Sequence, residues 1–232
     1  MMKFKFVYLN TLRESLSNFF MNYKKSYLEL NSSLLSFIPE DRFNNFKKRP
    51  ITSDEIRQLI EKNTKFTDKG VILKVKDIWE QNENEILSKI KMIIGIKAEI
   101  DKIICEINPY DNSGYYGYDN ITIGVYDSPE AILQVLTHEL LHILYWQRVR
   151  QLNLSKGILG KEKQWEWALS EFTVYLLQKE QQLSKFWPNE EIPLYPEVEE
   201  VAELVNKFWK KKNFDEYLID SYRTLENKYG KA

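Results

Sequence analysis

Apolar residues recur every three or four positions over several long stretches of the chain, which is the spacing of one face of an α-helix. This spacing predicts helices over residues 10–37, 83–94, 129–149 and 162–185, and two more helices over residues 197–229. The chain has only 8 glycines and 7 prolines among its 232 residues. Because these residues interrupt helices, their scarcity favours long helices and few turns.

Three shorter segments have the character of β-strands. Residues 71–78 alternate loosely between apolar and polar side chains, and residues 100–107 and 121–126 are rich in isoleucine. The segment between the last two is dense in turn-forming residues, so we predict that they form a β-hairpin. Ser128 and Pro129 then predict the start of the next helix, because serine caps helices well and proline is tolerated at the first helical position.

The order of these elements, helices followed by a small sheet and then more helices, predicts an α+β fold. We divide the chain into a helical N-terminal segment over residues 1–66, a core over residues 67–187 and C-terminal helices over residues 188–232 that pack on the core.

The composition narrows the class of protein. Hydrophobic residues make up 43% of the chain, as in a folded globular protein. The net charge of -1 argues against nucleic-acid binding, which needs a basic face. A single cysteine, Cys105, excludes an internal disulfide and is expected to be a small buried strand residue. Without a secretory signal or a membrane-spanning apolar run, we expect a cytoplasmic protein that does not bind membranes.

The chemistry of the chain is concentrated in residues 137–142, THELLH, in the middle of the predicted helix 129–149. Residues four apart share one face of a helix, so His138 and His142 can direct ring nitrogens at one point. Zinc binds imidazole nitrogen at about 2.0–2.1 Å, so these two rings supply two of its ligands. Glu139 lies about 100° further around the helix. From there it can reach a water on the metal as the general base.

The specificity of this motif comes from the histidine count. The chain has only two histidines, and both of them fall in the motif, whose flanks are apolar. The alternative interpretation is a pair of ordinary histidines on a core helix. A buried, rigid wall is nevertheless what a metal site requires of the helix that carries its ligands.

A third protein ligand is needed if the fourth position of the zinc is to hold water. No further histidine exists, so we expect a carboxylate on the following predicted helix. The candidates are Glu166 and Glu171. They flank the apolar face of that helix on opposite sides, and the spacing therefore does not choose between them.

The combination of HELLH with SEFTVYLL, residues 170–177, resembles the gluzincin group of zinc metallopeptidases over about residues 100–180. The resemblance implies a zincin-like core with a small mixed sheet, an active-site helix and a backing helix, here with extra helices at both termini. It also implies Glu171 as the third ligand, although Phe172 stands where the group usually has a small residue. Residues 121–126 resemble the edge strand that lines the cleft in this group.

The function implied by this resemblance is that of a zinc-dependent peptidase with Glu139 as general base. The developing oxyanion needs a second electrophile, and no spare histidine exists. Tyr175, one turn after Glu171, is the first candidate. Tyrosines 115, 116 and 118 are alternatives. An edge strand can bind an extended peptide by strand addition, so we expect a peptide or protein substrate.

Two alternatives to a general peptidase stay open. In the first, the helices at both ends dock or gate a regulatory protein partner, and the enzyme cleaves one partner protein. In the second, the chain is a non-enzymatic interaction protein that retains a zincin-like metal site. The second alternative predicts bound zinc with no open coordination position.

Overall fold

A computed structural model describes residues 3–8, 69–95, 102–107, 114–116, 119–123, 129–155, 163–186, 194–209 and 213–230. Within these ranges the strands are β1 (Lys3–Tyr8), β2 (Lys102–Ile107), β3 (Gly114–Tyr116) and β4 (Asn120–Ile123). The α-helices are α1 (Lys69–Ile94), α2 (Pro129–Gln151), α3 (Gln164–Gln178), α4 (Pro196–Val205) and α5 (Phe214–Tyr229). Short 3-10 helices at Ser184–Phe186 and Asn206–Phe208 follow α3 and α4.

The four strands form one mixed sheet in the order β1-β2-β4-β3. Strands β1, β2 and β4 are parallel, and β3 is antiparallel to β4. Every second residue of β2 is buried, namely Ile103, Cys105 and Ile107. This alternation places one face of the sheet in the core. A small sheet combined with mostly helical structure confirms the predicted α+β class.

The hairpin predicted between residues 100–107 and 121–126 is wrong. Strands β2 and β4 are parallel neighbours, with Cys105 opposite Ile121. The antiparallel pair is β3 with β4, so the turn-rich segment contains a strand of its own. As a result β4 lies inside the sheet and β3 lies at its end, where residues 121–126 were expected to form the edge. A period-two pattern identifies a strand but does not encode the direction of its neighbour.

The strand predicted over residues 71–78 is also wrong, because these residues form the first turns of α1. The buried positions Val75, Trp79, Ile86 and Ile90 follow helical spacing. Leu73 is 58% exposed, so the loose alternation that suggested a strand had no buried face behind it. Helical periodicity continuing into residues 83–94 outweighed the local β propensity.

The N-terminal segment supplies a strand that was not predicted. Residues 3–8 form β1, which pairs with β2 from Lys3 opposite Lys102 to Tyr8 opposite Ile107. The ring of Phe4 lies 4.2 Å from that of Trp79 in α1, so β1 also contacts the first described helix. The helix predicted over residues 10–37 lies outside the described residues.

Helix α2 runs through the centre of the described structure and packs against α1, α3, β3 and β4. Its residues are buried on several sides rather than along one stripe, as the fully or almost fully buried Leu136, Leu140, Leu141, Ile143 and Tyr145 show. A helix buried in this way is held rigidly by its neighbours. The helix predicted over residues 129–149 is therefore confirmed. No helix in the described ranges has both the length and the apolar character of a membrane span.

The C-terminal helix α5 is tied to both α2 and α3 by polar contacts. The Arg148 guanidinium in α2 donates two hydrogen bonds to the Asp215 carboxylate, one of them with an Nε–Oδ1 distance of 2.6 Å. In the buried interior, the hydroxyl oxygens of Thr173 and Tyr217 are 3.0 Å apart. The Thr173 hydroxyl also donates to the Leu169 carbonyl at 2.7 Å, so it accepts from Tyr217.

We expect Thr173→Val to lower the free energy of unfolding by about 1–3 kcal/mol, because the buried Tyr217 hydroxyl loses an acceptor. The measurement is urea denaturation in the absence of metal. In the double variant with Tyr217→Phe, the loss should be smaller than the sum of the two single losses, since the unpaired hydroxyl is gone. Strictly additive losses would show that the two hydroxyls do not interact.

Candidate metal centre

The two histidines of α2 face the same side of that helix, one turn apart. Their ring centroids are 4.7 Å apart and their planes are inclined by 73°. The two Nε2 atoms approach to 3.1 Å. His142 is buried, with 1% of its side chain exposed, whereas His138 is 32% exposed. The site therefore has a closed side at His142 and an approach from solvent near His138.

Helix α3 packs against α2 and brings Glu171 to the two imidazoles. Its Oε1 lies 3.5 Å from Nε2 of His142, and its Oε2 lies 3.8 Å from Nε2 of His138. The ligand atoms of the three residues all lie within 4.8 Å of one another. Of the two glutamates left open by the spacing, the structure thus places Glu171 beside the histidines.

The separations of these donors fit a zinc ion. Donors that bind a tetrahedral zinc at 2.0–2.2 Å lie roughly 3.3–3.6 Å from one another. The two Nε2 atoms are 3.1 Å apart, and the carboxylate approaches them with different oxygens, Oε1 at 3.5 Å from His142 and Oε2 at 3.8 Å from His138, so each of these separations is close to that range. Two imidazoles and one carboxylate are also a donor set of catalytic zinc sites, in which a fourth position stays open. These residues would hold the metal without a rearrangement of α2 or α3.

Glu166 has a different role at the start of α3. Its Oε2 accepts a hydrogen bond from the backbone N–H of Lys163 at 2.9 Å. This contact satisfies one of the free donors at the helix N-terminus. Glu166 is buried, yet it does not belong to the cluster of His138, His142 and Glu171.

The pKa values of His138 and Glu171 favour the protonation states in which these side chains can bind a metal. Burial, together with His142, lowers the pKa of His138 to about 3, so its imidazole is neutral. Burial by itself would raise the pKa of Glu171. The hydrogen bond and the charge of His142 outweigh it, and that pKa is lowered. A neutral imidazole and an ionised carboxylate are the forms that bind a cation.

Glu139 lies next to the cluster in sequence and is 7% exposed. Burial raises its pKa to about 7, with a smaller upward contribution from Glu171 that His142 opposes. A carboxyl group that titrates near neutrality can both accept and return a proton in that pH range. Glu139 is therefore a buried carboxyl group that can exchange a proton near neutral pH.

Each histidine has a second polar partner on the side away from the cluster. Nδ1 of His142 lies 2.8 Å from Oγ of Ser170, and Nδ1 of His138 lies 2.8 Å from Nε2 of Gln178. Sequence reasoning did not identify Ser170 or Gln178 as site residues. A signal existed, because Gln178 follows Glu171 by two helical turns and so shares its face of α3.

No contact in the described part of the chain brings Tyr175 to the three donors. The Tyr175 hydroxyl accepts a hydrogen bond from Lys179 at the exposed surface of α3, and its ring stacks on Phe172. Residues 115 and 116 belong to β3, whereas Tyr118 lies outside the described residues.

Cys105 is buried in β2, as expected, and burial raises its pKa, so it is a packed thiol apart from the site.

Comparison with known proteins identified no relative of this chain. No protein-family model, no curated protein and no solved structure matches the chain. The assignment of the site accordingly depends on its geometry and chemistry.

The two glutamates of α3 provide a matched test of the metal ligands. We expect Glu171→Gln to weaken zinc binding strongly, because the only carboxylate of the donor set becomes a neutral amide. Glu166→Gln should lower stability through the weaker cap but leave zinc binding unchanged. The zinc affinity of both variants is measured by isothermal titration calorimetry and by the rise in melting temperature when zinc is added. Zinc at about one hundred times its Kd stabilises a fold by about 2.7 kcal/mol. Equal zinc binding by both variants would contradict the ligand assignment.

Proposed function

We propose that this chain is a zinc-dependent metallopeptidase. In this proposal His138, His142 and Glu171 hold one zinc ion, and Glu139 is the general base. The single observation that carries it is the convergence of two imidazole nitrogens and one carboxylate beside a buried carboxyl group. The sheet, the active-site helix α2 and the backing helix α3 would then form a zincin-like core of the gluzincin type.

The chemistry divides between the metal and the chain. Zinc, when bound, supplies a Lewis acid that polarises a carbonyl group and makes a water molecule more acidic. Glu139 accepts the proton of the attacking water and returns it to the leaving amine. Its burial keeps its pKa near neutrality, which suits both transfers. The apolar residues of α2 around the site limit the access of other water molecules.

The same donor set occurs with another metal. Two histidines and one carboxylate also hold iron(II) in non-haem oxygenases. The buried Glu139 favours hydrolysis instead, because oxygen activation at iron has no need of a carboxyl group that titrates near neutrality. Metal analysis of the purified protein distinguishes the two metals, and iron as the bound metal would contradict the zinc assignment.

A polypeptide is the proposed substrate class. Strand β3 lies at one end of the sheet, and among the described strands it pairs only with β4. Its outer backbone groups can add an extended peptide as a further antiparallel or parallel strand. β3 takes over the role first expected of residues 121–126, since β4, the described part of that segment, pairs on both of its sides.

The second electrophile and the biological setting stay predictions. Tyr175 is the proposed candidate for the electrophile, and its hydroxyl would have to break its hydrogen bond with Lys179 to stabilise the oxyanion.

A partner-specific peptidase and a non-enzymatic protein that retains the metal site are the alternatives to a general peptidase. Cleavage of one co-purifying protein, but not of casein, would support the first alternative. The cytoplasmic location expected from the sequence is also a prediction, with which the single cysteine is compatible.

We expect Glu139→Gln to reduce the kcat of peptide hydrolysis by about 10²–10⁴-fold, because the amide cannot accept the proton. The variant should bind zinc as the wild type does, since Glu139 is not a ligand. Digestion of a peptide library by wild type and variant, followed by mass spectrometry, measures the loss, and atomic absorption measures the zinc.

His142→Ala serves as the companion variant and should lose both zinc and activity. A wild-type protein that binds zinc but cleaves no peptide in the library or in a co-purifying partner would support the non-enzymatic alternative. Unchanged cleavage by Glu139→Gln would remove Glu139 from the mechanism.

A further inference from the structure

A cavity of about 180 Å³ lies between the first turns of α3, helix α4 and the last residue of α5. Part of its lining is apolar, because Ala168 and Val201 contribute to it. Two glutamates and two aromatic residues also line it, namely Glu197, Glu200, Trp165 and Tyr229. A concave site with apolar walls and a few polar groups at fixed positions is the usual form of a binding site for a small chemical group.

The negative charge of this cavity comes from α4. The Glu200 carboxylate accepts hydrogen bonds from Nζ of Lys228 at 2.9 Å and from the Tyr229 hydroxyl at 2.6 Å, so the lysine balances its charge. The contact of Glu197 is with the neutral Gln164 amide, at an Nε2–Oε1 distance of 3.5 Å. Among the described residues Glu197 has no ion-pair partner, and its carboxylate therefore favours a cationic occupant.

The aromatic part of the lining also favours a cation. Lys163 and Lys228 already place their ammonium groups 5.9 Å and 5.0 Å from the ring centroids of Trp165 and Tyr229. Trp165 is 9% exposed, and its Nε1–H has no hydrogen-bond partner in the described part of the chain. Since a buried indole N–H usually has an acceptor, the lining lacks one acceptor as well as one cation.

A continuous surface connects the cavity to the metal donors. Gln164 and Glu171 are two helical turns apart on one face of α3, which is about 10.5 Å along the helix axis. Between them, the Trp167 indole N–H donates to the Glu171 carboxylate. The Trp167 ring lies 5.8 Å from that of Tyr195, which is 63% exposed and directly precedes α4. Glu197 follows Tyr195 by two residues, so the cavity begins where this aromatic pair ends.

We propose that this cavity binds the guanidinium or ammonium group of a basic side chain of the peptide substrate. This inference rests on the proposed peptidase function and narrows its substrate class to peptides with arginine or lysine near the scissile bond. An extended peptide advances about 3.3 Å per residue, so about 10.5 Å of helix corresponds to about three residues. The cation pairs with Glu197 and lies against the aromatic rings, while a peptide carbonyl supplies an acceptor for Trp165.

The first experiment measures binding separately from cleavage. The probes are N-acetyl-arginine N-methylamide and its citrulline counterpart, in which a neutral urea group replaces the guanidinium. They are titrated by NMR into zinc-loaded Glu139→Gln, so that neither probe is hydrolysed. We expect the arginine probe to bind about tenfold more tightly, through the ion pair and the cation–π contacts. This preference should decrease as the ionic strength rises.

Two glutamates of α4 give a matched pair of variants. Glu197→Gln removes the carboxylate at the cavity, whereas Glu199→Gln removes the same charge from an exposed residue of α4 that does not line it. We expect Glu197→Gln to lower the preference for arginine over citrulline about fivefold. Glu199→Gln should keep the wild-type preference. Because the preference is a ratio, a general loss of folded protein does not change it.

The second experiment measures cleavage. In a peptide library, wild-type protein should favour arginine or lysine within about three residues of the cleaved bond. For one cleaved peptide and its citrulline analogue, the ratio of the kcat/KM values should fall about fivefold in Glu197→Gln, mainly through KM, and stay as in the wild type in Glu199→Gln. A loss through kcat alone would contradict a binding role for Glu197.

The outcomes separate this inference from the proposed function. Equal affinity for the two probes overturns the inference and leaves the peptidase proposal intact. So does an equal loss of preference in both variants, because the general charge of α4 would then explain it. A protein that prefers the arginine probe but cleaves no peptide overturns the proposed function and the substrate role of the cavity, while the cation site stands.

Discussion

The packing of α3 against α2 is the contact on which the site depends. It places a carboxylate against two imidazoles, of which His142 is buried and His138 is partly open to solvent. Polar groups that are buried must satisfy one another or bind a cation. The cluster does the first through hydrogen bonds to Ser170 and Gln178, and its donor separations fit the second.

The remaining elements hold that contact in place. The sheet and α1 support α2 from its other sides, and α5 connects α2 and α3 through the Arg148–Asp215 ion pair and the hydroxyls of Thr173 and Tyr217. A metal site needs its ligands fixed to within a fraction of an ångström. The C-terminal helices therefore belong to the structural support of the site and are more than an addition at its edge.

The electrostatic character of the site follows from burial acting on different groups in different ways. Desolvation keeps His138 neutral and raises the pKa of Glu139, while the hydrogen bond and charge of His142 keep Glu171 ionised. Two carboxyl groups near one another thus have different protonation behaviour, which is what the proposed roles of Glu171 as ligand and Glu139 as base require. The neutral partners Ser170 and Gln178 add no charge of their own to the histidines.

The sequence by itself determined the α+β class, helix α2 and the pairing of His138 with His142. These depend on periodicity along one element, and a spacing of four residues already places two side chains on one face. It could not choose Glu171 over Glu166, because each lies beside the apolar face of α3 and only the packing of α3 on α2 decides which one reaches the imidazoles.

Tertiary structure also decided the sheet. The pattern of β2 and β4 identified them as strands, but their parallel pairing, the intervening β3 and the addition of β1 depend on contacts between distant residues. Residues 71–78 became helix for the same reason, since burial of Val75 and Trp79 against the core outweighed a local preference. Periodicity is a property of one segment, whereas direction, register and ligand choice are properties of two segments in contact.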